Sequence, residues 1–159
     1  MYTVAYRRTE TSVTTIPAAV RELSPLSGYT DHFTLATDVR ATPEQWARAM
    51  FGDVPNASER LIWSGFLGLR LSPRPSPDTV AGWRIAERGP DWIRMEAASW
   101  FLTAHIVVRA TEGQVAAATF LRYDRPLGRV VWTALSPIHR ALVPWILRKG
   151  ASVRAQAHG

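Results

Sequence analysis

Four histidines are the residues of this chain with the widest chemical range, and none has the spacing of a metal site; they are His32, His105, His139 and His158. Zinc-binding histidines often stand about three to five residues apart or in an HExxH motif, and neither arrangement occurs. The chain has no cysteine, which excludes a thiol nucleophile and a cysteine-based zinc site. The sequence therefore predicts no metal and no cofactor. The chemistry that remains possible is proton transfer by isolated side chains.

Asp31, His139 and Tyr123 are the candidate catalytic residues. Asp31 falls on the apolar side of a predicted strand, where its carboxylate would either face an internal cavity or cap the backbone that precedes it. His139 falls in the first turn of a predicted C-terminal helix, where the helix dipole disfavours a protonated imidazole. There its imidazole would either accept a proton or form a structural hydrogen bond at the junction between the predicted last strand and the C-terminal helix. Tyr123 would serve as a hydrogen-bond donor.

His105 lies in the middle of a predicted strand, and its orientation depends on strand register. A tight turn at Glu112 and Gly113 predicts that Thr111 faces Gln114 across a hairpin. That register points His105 away from the interior, beside Phe120 and near Glu96. We interpret His105 as a surface histidine.

Length, charge and missing motifs narrow the classes of function that the sequence allows. The chain has 159 residues, enough for one domain with a core, and a net charge of +6 from 19 basic and 13 acidic residues. The basic residues are scattered, which does not favour nucleic-acid binding. Phosphate-binding GxGxxG and Walker motifs and the GxSxG hydrolase motif are missing. No secretory signal or membrane-spanning stretch is predicted, so we expect a cytoplasmic monomer or homodimer without stable membrane insertion.

The middle of the chain alternates between strand and helix signals. A half-buried strand is predicted over residues 31 to 39, and Thr42, Pro43 and Gln45 then form a capping-box signature for a first helix. Asn56 begins a second short helix. After a proline-rich connector, two hairpins follow, over residues 79 to 98 and 101 to 123.

The last third is predicted as a strand, Gly128 to Leu135, that runs directly into a helix, Ser136 to Arg154. Ser136 would cap that helix and Pro137 would occupy its first position. The stripe expected to be buried comprises Ile138, Ala141, Leu142 and Trp145. Pro144 lacks an amide hydrogen, so we expect a kink within a turn of it.

These elements predict an α+β fold: a curved antiparallel sheet of about six strands, two short helices after the first strand, and a long C-terminal helix packed across the sheet. Residues 1–30 form an N-terminal arm, residues 31–154 a single domain, and residues 155–159 a tail.

Over residues 31–154 the chain resembles the START-like, or SRPBCC, superfamily of helix-grip proteins. The resemblance is carried by element order and by the segments GYTDHF, TPEQWARAMFG, GW before the first hairpin, TFLRY, and a tryptophan followed by SPIHR. These segments are most similar to a branch classed as a domain of unknown function. The resemblance implies a cavity between sheet and helix that takes a lipid, isoprenoid or polyketide-like molecule. Some members bind or carry such molecules, and others are cyclases or dehydratases.

We therefore expect an apolar small-molecule ligand in that cavity. The alternative is a cofactor-independent cyclase, dehydratase or isomerase that uses Asp31 or His139 as acid or base. A third possibility is a non-catalytic module that binds a protein through the arginine-rich sheet face. The expected ligand-binding residues are Phe33, Thr37, Trp83, Met95, Ile106, Thr119, Tyr123, Trp132, Leu142 and Trp145.

Overall fold

The computed structural model describes residues 16–52 and 57–157, which form an α+β fold. The strands are β1 (Tyr29–Ala36), β2 (Thr79–Val80), β3 (Trp83–Arg88), β4 (Trp92–Ala98), β5 (Leu102–Thr111) and β6 (Gln114–Tyr123). The helices are α1 (Ala18–Arg21), α2 (Pro43–Phe51), α3 (Ala57–Arg60) with its π-helical continuation (Leu61–Phe66), and α4 (Pro126–Ala157). The predicted fold class is confirmed.

The six strands form one antiparallel sheet in the order β1-β6-β5-β4-β3-β2. The β5–β6 register is the predicted one, with Thr111 opposite Gln114 and Ile106 opposite Thr119. It follows from the two-residue turn, in which Gly113 adopts a φ of 77° that other residues rarely adopt. The inner face of this sheet packs against α2 and α4, with the main hydrophobic core between them.

The prediction of a strand from Gly128 to Leu135 is wrong, because these residues belong to α4. The sixth strand is the short β2. Pro126 occupies the first position of α4, which is the position that was predicted for Pro137. Every fourth residue is then buried at Gly128, Trp132 and Ser136, a spacing that fits a helix and not a strand.

Ser136 and Pro137 lie inside α4 rather than at its start. Pro137 has no amide hydrogen for the carbonyl of Thr133, and the hydroxyl of Ser136 donates to that carbonyl over 3.4 Å instead. The predicted buried stripe is also wrong: Ile138 is 51% exposed and Trp145 is 54% exposed. The buried stripe of the C-terminal half is Val143, Leu147 and Ala151. The kink at Pro144 stays a prediction.

The first helix after β1 follows its sequence signature. Thr42 and Gln45 form a reciprocal capping box, with Gln45 N to Thr42 Oγ1 at 3.1 Å and Thr42 N to Gln45 Oε1 at 2.9 Å. The cap predicted at Asn56 lies outside the described residues. The second helix is described from Ala57 and changes to π-helical hydrogen bonding at Leu61. π-Helical segments are frequent at functional sites.

The N-terminal arm covers the outer face of the sheet. Ile16, Val20 and Leu26 form a second, smaller hydrophobic cluster with Val107, Ala118 and Phe120. Leu23 accepts a 2.9 Å hydrogen bond from Arg94. Residues 1–15 lie outside the described part of the chain. The arm therefore covers the middle of this face, and His105, at 6% exposure, is not the surface residue that we expected.

Among the described residues, one helix, α4, is long and apolar enough to cross a membrane by length and composition. This differs from the sequence-based expectation that no such stretch exists. About 28% of its most apolar window is buried.

Candidate functional site

An apolar cavity of about 590 Å³ lies between the inner sheet face, the α2 and π-helical segments, and α4. Its floor is formed by Ile106, Ala117 and Thr119 on β5 and β6. One wall comprises Met50, Phe51, Glu59, Ile62 and Trp63, and the other comprises His139, Ala141, Leu142, Val143, Trp145, Ile146, Arg148 and Lys149. The lining is mostly hydrocarbon, with charged side chains from the two helical walls.

The strand register determines which polar side chains lie at one end of the site. Asp31 pairs with Thr119, and Thr119 pairs with Ile106, so the three side chains form a row on the inner face across β1, β6 and β5. Asp31 is 1% exposed and Thr119 is 8% exposed. The row therefore leads from the cavity floor to a buried carboxylate at the edge strand.

His139 lies over this carboxylate. Its Nε2 is 2.8 Å from Asp31 Oδ2, but the ring N–H is not directed closely enough at that oxygen to form a hydrogen bond. Asp31 Oδ1 is buried and has no hydrogen-bond partner among the described residues. Since His139 also lines the cavity, the imidazole connects the buried carboxylate to the apolar chamber. His139 lies well inside α4, so the helix-terminus argument for its charge does not apply.

Tyr29 completes the cluster, although it was not among the expected site residues. Its hydroxyl donates a 2.9 Å hydrogen bond to Asp31 Oδ2. Burial raises the pKa of Tyr29 far above its ordinary value, and the neighbouring Asp31 carboxylate raises it further, so the phenol stays a donor. The Trp132 ring packs against both Tyr29 and His139, with centroids 5.2 and 4.9 Å away.

Of the expected site residues, five line the cavity: Ile106, Thr119, His139, Leu142 and Trp145. Asp31 and Trp132 lie directly behind His139. The expected position of Trp132 on a strand was wrong, but its burial, with 4% exposure, was right.

The other expected residues lie elsewhere. Phe33, Trp83 and Met95 are packed in the main core and do not line the cavity. Thr37 borders a separate, more polar cavity beside the β5–β6 turn. Tyr123 is half-buried, with the Arg129 guanidinium 5.0 Å from its ring centroid.

Several cavity residues were missed by sequence reasoning. Trp63, which was not among the expected ligand-binding residues, lines the chamber and packs edge-on against Trp83, with ring centroids 5.4 Å apart. Phe51 was unremarkable in the sequence. Tyr29 could have been found by extending the alternation of β1 backwards, because it shares the parity of Asp31.

His105 belongs to a different, outer-face cluster. Its Nδ1 lies 2.8 Å from Ser24 Oγ on the N-terminal arm, and its Nε2 lies 3.4 Å from a Glu96 carboxylate oxygen, as the register predicted. Burial lowers the pKa of His105 to about 4 in spite of Glu96. It therefore fastens the arm and takes no part in the cavity.

Within the described residues, no three His, Asp or Glu side chains come together in a way that could hold a metal ion. No family model matches this chain, and no curated protein or solved structure matches it significantly. The START-like resemblance thus stays a prediction, and function must be argued from the geometry.

Proposed function

We propose that this protein binds a hydrophobic small molecule, of the lipid, isoprenoid or polyketide-like class, in the cavity between the sheet and α4. The observation that carries this proposal is the apolar chamber of about 590 Å³, which lies within the size range of small-molecule sites. Such sites combine apolar walls with a few polar groups that orient the ligand. Here Thr119 and His139 supply those groups.

The distribution of polarity indicates how a ligand would lie. Its apolar body would contact Phe51, Ile62 and Trp63, and a single hydroxyl or carbonyl would approach Thr119 and His139. Lys149, about ten residues further along the same α4 wall as His139, suits a weakly anionic second group. The helix-grip-like arrangement also supports membership of the START-like superfamily, which we propose on that basis.

The proposal is tested with an apolar fluorescent probe whose emission is excited by energy transfer from the cavity tryptophans Trp63 and Trp145. We expect saturable binding of one probe per chain. Ala117→Phe fills the floor of the cavity and should weaken binding at least about tenfold. Ala98→Phe, at an exposed position outside the cavity lining, is the matched control and should bind like the wild type. Equal binding by all three proteins would overturn the proposal.

A second candidate function is a cofactor-independent cyclase, dehydratase or isomerase in the same cavity. The observation in its favour is the 2.8 Å approach of Asp31 to His139, because a carboxylate beside an imidazole can stabilise the imidazolium that forms when the imidazole acts as a general base. His139 would accept or donate the proton, Asp31 would stabilise the imidazolium, and Tyr29, rather than Tyr123, would hold Asp31.

The test uses as substrate the apolar molecule that co-purifies with the protein, recovered by organic extraction. Asp31→Asn and His139→Gln should each lower turnover by about a hundredfold or more if proton transfer is the function. Probe affinity should change little in Asp31→Asn, because Asp31 does not line the cavity. Unchanged turnover in both variants would leave binding alone as the function.

A further inference from the structure

The outward side of α4 carries a continuous apolar stripe that nothing in the described structure covers. Leu127, Val130, Ile138 and Trp145 are 41%, 66%, 51% and 54% exposed. Two exposed alanines, Ala134 and Ala141, fill the positions between them. The spacing of three or four residues places all six on one face of the helix. We call these six residues the outer stripe.

The charges of α4 all have one sign. Its basic residues are Arg129, Arg140, Arg148, Lys149 and Arg154, and the 32-residue helix contains no Asp or Glu. Lys149 holds its ammonium group 5.8 Å from the centroid of the Trp145 ring. By helical spacing, Arg148 and Lys149 lie on the two sides of the outer stripe near Trp145. An apolar face with an exposed tryptophan and such basic flanks is the pattern of a helix that lies on an anionic membrane surface.

The outer stripe also meets the mouth of the cavity. Ala141 and Trp145 belong to both the stripe and the cavity lining, and Lys149 lines the cavity beside them. A flat apolar surface seated on this face would therefore lie against the cavity opening.

We propose that the outer stripe docks this protein onto an anionic lipid surface, peripherally and with the fold intact. Charge complementarity selects this occupant over a second copy of the chain, because two copies of α4 would bring basic residues together. With the fold intact, α4 cannot cross a membrane, because Trp132, Val143 and Leu147 of this helix are buried in the main core. If the proposed ligand binding also holds, an apolar ligand passes between bilayer and cavity without crossing water.

The test is flotation of the purified protein with vesicles of phosphatidylglycerol and phosphatidylcholine, or of phosphatidylcholine alone. We expect at least about tenfold tighter binding to the anionic vesicles, and loss of that preference at high salt. Ile138→Glu should weaken anionic-vesicle binding at least about tenfold. Gln114→Glu adds the same charge on the β5–β6 turn, at an exposed residue outside α4, and should bind like the wild type. Thermal melts would confirm that both variants are folded.

Failure of this proposal is distinguishable from failure of ligand binding, because Ala117→Phe should bind vesicles normally. Absence of vesicle binding, or equal binding to neutral vesicles, would overturn the proposal. So would equal losses in Ile138→Glu and Gln114→Glu, which would indicate a net-charge effect alone. A dimer in solution that Ile138→Glu dissociates, without vesicle binding, would assign the outer stripe to a second copy instead.

Discussion

The imidazole of His139 on α4 lies 2.8 Å from the carboxylate of Asp31 on the edge strand β1, two residues far apart in the chain. The contact joins the C-terminal helix to the sheet at the polar end of an otherwise apolar cavity. Asp31 is 1% exposed, so its carboxylate contacts protein groups rather than water. The tyrosine that donates to Asp31 and the tryptophan that packs on His139 make this a single cluster.

The hydrogen bond from Tyr29 to Asp31 should stabilise the fold measurably. Tyr29→Phe removes the donor and should cost about 1–2 kcal/mol in free energy of unfolding, because the carboxylate loses a partner inside the protein. Asp31→Asn should cost a similar amount. The double variant should lose less than the sum, by at least about 0.5 kcal/mol, which a urea double-mutant cycle measures.

Tyr123→Phe is the matched control for this cycle, because Tyr123 was the tyrosine that sequence reasoning assigned to the site. It should change the unfolding free energy by less than about 0.5 kcal/mol and should show no coupling to Asp31→Asn. Strong coupling at Tyr123, and none at Tyr29, would mean that the polar cluster is arranged differently.

The start of α4 should be intolerant of any side chain at Gly128. A Cβ built there would lie 2.5 Å from the carbonyl oxygen of Phe101, a backbone atom that cannot move aside. Gly128→Ala should therefore destabilise the protein by about 2 kcal/mol or more in thermal or urea unfolding.

Gly65→Ala is the corresponding control on the π-helical segment, where the nearest atom to a new Cβ would be 3.6 Å away. Alanine favours helical backbone, so this variant should be neutral or more stable by up to about 1 kcal/mol. A Gly128→Ala variant as stable as the wild type would refute the close approach of α4 to the β4–β5 loop.

Stability should fall on mild acidification because of His105. Its pKa is lowered to about 4 by burial in the folded state, whereas the unfolded chain binds the proton near its ordinary value of 6.5. Between these values the unfolded state carries more protons, so stability decreases as pH falls. Urea unfolding at about pH 7 and about pH 5 should show a loss of about 2 kcal/mol from this group. Burial also lowers the pKa of His32, which adds to the loss in the same direction.

The control is His105→Gln, which keeps a polar side chain opposite Ser24 without a titrating group. Its unfolding free energy should depend less on pH, by about 2 kcal/mol over the same interval. If the variant and the wild type lost stability in parallel, His105 would not be the group responsible.

Local sequence signals correctly predicted the parts of the fold where they agree with tertiary packing. The turn at Gly113 determined the β5–β6 register, and Thr42 and Gln45 predicted the start of α2. At Gly128 the local signal was misleading: the β-branched Val130 and Val131 favoured a strand, and the helical spacing of the buried Gly128, Trp132 and Ser136 is visible only in the folded chain. Tertiary packing decided for the helix, because Gly128 lets the chain pass close to Phe101.

The site was predictable only in part, for a related reason. Strand parity placed Asp31 and Thr119 on the inner face correctly. The helix face that lines the cavity could not be deduced, because α4 is apolar on two sides: Val143 and Leu147 face the core, while Ile138 and Trp145 face outward. The meeting of Asp31 with His139 depends on how the helix crosses the sheet, and no local pattern encodes that.

Native mass spectrometry of the freshly purified protein tests ligand binding most directly. We predict that a fraction of the wild type and of Ala98→Phe carries one co-purified apolar molecule per chain, which organic extraction recovers. Ala117→Phe should be free of it. If all three proteins carry no molecule and take up none of a set of added lipids, isoprenoids and aromatic polyketides, the cavity is not a ligand site.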